Sequence, residues 1–222
     1  MIRWGPKATS VSTGAGVALP TYGREYAALE SWVIGRLGRV DHEWRVTRIA
    51  LALFDLLRRR HKLNQRARDV LALSALVHDV GRSVDDRTHP RQGARLLLKD
   101  RDLPLGDTLR RRLAYLTLYH RGPVPLAGED GLLLAGEDAN SVRVLLGLLR
   151  AADALDSRRA EPPTLRFTHT GRRLRVDCHL RSGSAKARKI YTRRKKFRLL
   201  EETLGCKVDL RVRAGEELLL VG

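Results

Sequence analysis

The chain has 222 residues, enough for one domain of ordinary size, or one with a small addition, and enough to bury a sizeable core. Lys and Arg number 43 against 25 Asp and Glu, a net charge of +18 that favours polyanions as partners, although genomic composition accounts equally well for part of the arginine excess. Only Cys178 and Cys206 occur, with no C-x-x-C pair, no signal-like start and no apolar run near the ~18 residues of a membrane span; this argues against a disulfide framework, a cysteine zinc site or a membrane protein, and for a cytoplasmic location.

Residues 1–20 are rich in Gly, Ser, Thr and Ala, end at Pro20 and read as a flexible arm. Helical periodicity follows. "EYAALESWVIGRL" gives a first helix and "EWRVTRIALALFDLLRRR" a second, with Val46, Ile49, Leu53 and Leu56 or Leu57 on one stripe. "ARDVLALSALVHDVG" gives a third, with Gly81 as its stop. A shorter helix covers "RQGARLLLKD" with Pro90 in its first turn, before "GDTLRRRLAYLTLYHRG" and "EDANSVRVLLGLLRAADALDS", which stops ahead of Pro162 and Pro163. Residues 21–160 therefore form an all-helical domain.

The texture changes after Pro163. "TLRFTHT" and "LRVDCHL" alternate like strands around a hairpin at Gly171 and Arg172. "SAKARKIYTRRKKFRLLEETLG" reads as one basic helix with Ser184 as N-cap and Gly205 as stop, and "CKVDLRVRAGEELLLV" supplies one or two terminal strands. The fold class expected is mainly α, a helical bundle with a small α+β appendage over 161–222.

Chemistry concentrates at His78-Asp79. Adjacent helical residues point about 100° apart, so both reach one cation only near a helix end. Alone, the pair is equally a hydrogen-bonded helix terminus. His42 opens the second helix and Asp153 interrupts the apolar run "LLRAADALDS", where an unpaired charge is costly to bury. Convergence of these groups on a divalent cation would remove that cost, as would a salt bridge for Asp153 and a capping role for His42. Between Cys178 and Leu200 the only charged side chains besides His179 are basic, with Tyr191 and Phe197 interleaved; a solvated face and a polyanion-binding face, RNA included, both fit.

The order His42, His78-Asp79, Asp153 resembles the H…HD…D pattern of the HD-domain superfamily of metal-dependent phosphohydrolases. "HEWRVTRIALALFD", "LSALVHDVGRSVDDRTHPRQGARLLL", "LAYLTLYHRGPVP", "LLGLLRAADALDSRR" and the terminal "FRLLEETLGCKVDLRV" are similar to the C-terminal HD region of the exopolyphosphatase and guanosine-pentaphosphate phosphatase family, over residues 22–213. The two-lobed actin-like phosphatase that ordinarily precedes this region is missing from these residues. The full-length family's activity is accordingly not carried over, and a separate actin-like partner is one way to replace the lobes.

The resemblance implies one or two divalent transition ions, Mn, Fe, Ni, Co or Zn, held by His42, His78, Asp79 and Asp153, with His89 and His120 completing a second site that Asp79 bridges. It implies hydrolysis of a phosphoester or phosphoanhydride in a nucleotide or polyphosphate-like substrate, with Asp79, Arg82 and His120 as the reacting set. Arg82, Arg121 and Lys195 are the candidate substrate cations, and Asp85, Asp86 and Asp156 either orient ligands or cap turns. His61, His169 and His179 match nothing in the pattern. A non-catalytic module that binds polyphosphate, alarmone nucleotide or RNA is the alternative, and a homo-oligomer is compatible with either.

Overall fold

The computed structural model describes residues 9–12, 23–125, 131–133, 138–182 and 184–214. Strand β1 (Thr9–Ser12) precedes a run of helices: α1 (Gly23–Leu37), α2 (Asp41–Leu56), α3 (Arg58–His61), α4 (Gln65–Val77), α5 (His89–Lys99), α6 (Asp107–Tyr119) and α7 (Ala139–Leu155). Then come β2 (Thr164–Thr170), β3 (Arg173–Leu180), α8 (Ala185–Tyr191), α9 (Arg198–Leu204) and β4 (Lys207–Ala214). The protein is mainly α with a small α+β appendage. Among the described residues no helix is long and apolar enough to cross a membrane.

Helix α4 organises the body. Asn64 caps its start by accepting from the Ala67 N–H at 3.0 Å, and every residue from Arg68 to Val77 is buried. A helix buried all round lies between two apolar layers. Leu73, Leu76 and Val77 pack with Leu29 and Val33 of α1, Leu97 of α5 and Leu113 of α6, while Val70, Leu71 and Ala75 pack with α2, α7 and the sheet. The end of α4 therefore opens between both layers, and that is where His78 and Asp79 stand.

Three boundaries differ from expectation. Residues 9–12, read as part of the flexible arm, form β1 and pair antiparallel with β2; the rest of residues 1–20 lies outside the described residues, as does 215–222 at the end of the appendage. Helix α4 ends at Val77, ahead of Gly81, which falls in a 3-10 turn (Val80–Ser83). Gly81 is required by close approach instead of by a helix stop: a Cβ there would sit 2.1 Å from the His89 carbonyl oxygen and 2.4 Å from the Gly93 nitrogen. The basic helix is not continuous either. It breaks after Tyr191 into a second 3-10 turn (Arg194–Phe197) and α9, because Tyr191 and Phe197 are both buried in the core, whereas six positions apart on a straight helix they would point to different faces.

The appendage sheet has order β1-β2-β3-β4; β1/β2 and β2/β3 are antiparallel, turned at Gly171 (φ 56°), and β3/β4 are parallel across the α8–α9 connection. Ser184 caps α8 and Gly205 stops α9 in the left-handed conformation, as the sequence predicts. Leu174, Val176, Cys178 and Leu180 alternate inward from β3 onto the core shared with α2 and α7. Gly147 lets α7 meet α9 closely, its Cβ position being 3.1 Å from Leu200 Cα. The hydrophobic core thus runs across residue 160 without a break.

Candidate metal centre

Five helix ends meet at one point: the starts of α2 and α5 and the ends of α4, α6 and α7. They bring His42, His89, His78 with Asp79, His120, and Asp153 together, all buried. At the ends of α4 and α6 the last carbonyls lack helical partners. His78 Nδ1 meets Ala75 O at 2.7 Å and His120 Nδ1 meets Thr117 O at 2.6 Å. His89 Nδ1 does the same for Asp86 O at 2.7 Å, and His42 Nδ1 donates to Asp156 Oδ2 at 2.7 Å. Each Nδ1–H is spent on an oxygen acceptor, so each Nε2 is left as a bare lone pair.

Those lone pairs face one another and the carboxylates. His42 Nε2 is 3.7 Å from both Asp79 Oδ2 and Asp153 Oδ1, and His78 Nε2 is 3.8 Å from Asp79 Oδ1 and from Asp153 Oδ1. On the other side of Asp79, Oδ1 is 3.1 Å from His89 Nε2 and 3.6 Å from His120 Nε2, and the two imidazole nitrogens are 3.3 Å apart. Among the described residues His42 Nε2, His78 Nε2 and Asp79 Oδ1 are buried with no hydrogen-bond partner. Converging acceptors without protons call for a cation, and donors about 2.1 Å from a shared ion stand roughly 3–4 Å apart, as these do. His42, His78 and Asp79 make one group able to hold an ion, and Asp79, His89 and His120 a second.

The electrostatics agree. Burial opposes the charge of Asp79, but the charge of His78 beside it outweighs burial and holds its carboxyl well below the usual range. Burial likewise opposes Asp153, and His78, Lys196 and Arg121 overcome it. Burial pushes His120 down to about 4 and lowers His89, keeping both neutral. His78 moves upward because Asp79, Asp153 and Glu43 outweigh its burial. Asp156, which orients His42, is held ionised against burial by His42 and by Arg45, 2.8 Å away.

Cations ring the centre. Asp79 Oδ2 accepts from Arg82 Nε at 2.6 Å and Arg158 Nε at 2.9 Å, while Asp153 Oδ2 faces Lys196 Nζ at 3.1 Å and Arg121 at 3.6 Å. A cavity of about 910 Å³ reaches His42, His120 and Asp153 between walls that carry Arg82, Arg121, Arg158 and Lys195. A second opening of about 480 Å³ reaches His89 and shares Arg121 and Arg159.

The sequence-derived ligands are thus brought together, and Arg121 and Lys195 line the approach. Arg82 is turned onto Asp79 and Asp86. His61 tucks against the Phe54 carbonyl at the end of α2, and His169 and His179 lie on β2 and β3, all away from the centre. Sequence reasoning missed Glu43, Arg158 and Lys196. Glu43 left a signal, since it starts the buried stripe of Val46, Thr47 and Ala50 on α2; Arg158 lies in a turn and Lys196 in the short 3-10 turn before α9, neither with a periodicity to mark it.

Residues 39–190 match the family model described as Ppx/GppA phosphatase, domain III. The chain belongs to this family. The matched span contains His42, His78, Asp79, His89, His120 and Asp153, and covers α2 to α7, the hairpin and α8 but for its last residue; β1, α1, α9 and β4 lie outside it.

Proposed function

We propose that this Ppx/GppA domain III protein is a metal-dependent phosphohydrolase of the HD type, cleaving a phosphoester or phosphoanhydride in a polyphosphate-like or nucleotide substrate. The observation that carries it is the meeting of bare imidazole Nε2 atoms and ionised carboxylates in a buried pocket ringed by cations. His42, His78, Asp79 and Asp153 would hold one divalent transition ion and Asp79, His89 and His120 a second. Such ions supply a hydroxide-like water at neutral pH and a Lewis acid for phosphoryl oxygens.

The chain's own residues do the rest. Arg82 and Arg158 fix the Asp79 carboxylate by charge-assisted hydrogen bonds. His120, neutral because it is buried, is available as a ligand through Nε2, which carries no proton to give at neutral pH. Arg121 and Lys195 on the cavity wall, with Lys196 beside them, meet phosphate oxygens and offset the charge that develops on them. Among the described residues lining the cavity the apolar contributors are Ala154 and Ile190, with Gly122, so a substrate is gripped by its phosphates.

Full-length protein stripped with a chelator and reloaded with Mn(II) or Co(II) is expected to bind near-stoichiometric metal and to release phosphate from inorganic polyphosphate or a nucleotide. Asp79→Ala should lose both. Natively folded wild-type protein that takes up no divalent metal, or an Asp79→Ala protein that keeps metal and hydrolysis, would contradict the reading.

A further inference from the structure

One carboxylate at the centre belongs to no ligand group. Glu43 follows His42 in the first turn of α2 and is wholly buried; its Oε1 pairs with Arg158, and its Oε2 has no hydrogen-bond partner among the described residues. An ionised side chain so placed is expensive to bury, and packing alone would be served as well by an apolar residue. Its partner explains its place. The same Arg158 guanidinium donates Nε to Asp79 Oδ2 at 2.9 Å, where Arg82 Nε also donates at 2.6 Å. Oδ2, which also lies 3.7 Å from His42 Nε2, is thereby hydrogen-bonded by two arginines, and Oδ1 is the oxygen left without a hydrogen bond among the described residues, facing His78, His89 and His120.

That arrangement has an electrostatic defect. Arg158 brings a full positive charge next to the carboxylate that would bind a divalent cation, and in a buried site the repulsion is weakly screened. A negative charge on the far side of the guanidinium cancels it. We propose that Glu43 is a positioning residue acting through Arg158: it holds the guanidinium on Asp79 Oδ2 and neutralises it, so that Asp79 presents Oδ1 to the metal. The inference rests on the metal-dependent reading given above.

Co(II) titration of the chelator-stripped full chain tests it, read by the visible spectrum and the dissociation constant. Glu43→Gln should weaken Co(II) binding about ten- to a hundredfold and change the spectrum, with Glu43→Asp, which keeps the charge, recovering part of the loss. In an Arg158→Gln background the same Glu43→Gln change should have far less effect, because the charge that it answered is gone. Unaltered Co(II) binding in Glu43→Gln, or losses that simply add in the double variant, would overturn the proposal. If Glu43→Gln does not fold, Arg158→Gln at its partly exposed position serves: a shifted Co(II) spectrum supports the proposal and an unchanged one overturns it. Wild-type protein that binds no Co(II) removes the metal-dependent reading and this inference with it, whereas normal wild-type binding with an indifferent Glu43→Gln removes this inference alone.

Discussion

Each imidazole in the centre spends Nδ1 on an oxygen and leaves Nε2 bare, so protonation would compete with the proposed metal. The competition is uneven. His120 stays neutral down to about 4 against an ordinary value of 6.5, and His89 moves the same way, while His78 moves upward. Between pH 6.5 and about 4 the unfolded chain takes up a proton at His120 that the metal-free folded chain refuses, so stability falls as pH falls through that window. The shift corresponds to about 3 kcal/mol, opposed in part by His78, whose raised value stabilises the fold at low pH and loses that contribution as pH rises. The urea midpoint of metal-free protein is accordingly expected to drop between pH 7 and pH 4, and His120→Gln should flatten the drop. A midpoint that ignores pH in the wild type would contradict the assignment.

At the scale of elements, the centre depends on how the end of α4 is pressed against α5. The 3-10 turn that follows His78-Asp79 lies so close to α5 that residue 81 has no room for a side chain, and the atoms in the way are backbone atoms of His89 and Gly93. Helices pack rigidly enough that such an overlap moves one element off the other. Gly81→Ala should therefore destabilise the protein by roughly 2 kcal/mol or more and draw Asp79 away from His89 and His120. Thermal melts would read the first effect. Metal stoichiometry would read the second, with loss from the His89 and His120 group before the His42 and His78 group. The break after Tyr191 is the other decisive local feature, since a straight basic helix would not bring Lys196 within 3.1 Å of Asp153.

Across the whole molecule one apolar core joins the helical body to the appendage. Phe167 of β2, Val176 of β3 and Leu200 of α9 are fully buried in the same cluster as Val46, Leu53 and Leu149. Each such side chain contributes roughly 1.5–3 kcal/mol by leaving water, comparable to a large fraction of a domain's net stability. Residues 1–160 alone would expose the inner faces of α2 and α7. That fragment is expected to lack a cooperative unfolding transition by circular dichroism, and a sharp, native-like melt would show that the appendage is dispensable. The appendage also supplies Lys195 and Lys196, so removing it strips cations from the cavity wall.

Much of this was legible along the chain. The periodic segments, the hairpin at Gly171, the cap at Ser184 and the stop at Gly205 are local matters of side-chain spacing and backbone freedom, and the structure has them where the pattern puts them. The buried cluster was legible too, because His42, His78-Asp79 and Asp153 are polar groups set against apolar runs. The strand at 9–12 was not, since its partner β2 lies more than 150 positions away in sequence and pairing across such a gap leaves no local trace. The close approach at Gly81 and the interruption of the basic helix escaped for the same reason: both are imposed by neighbours that only folding supplies. Sequence by itself determined which residues seek a core, which turn and which carry ionisable groups into apolar surroundings. Tertiary structure decided that Glu43 reaches Asp79 through Arg158 and that Lys196 meets Asp153, because charges buried together select their partners by position in space.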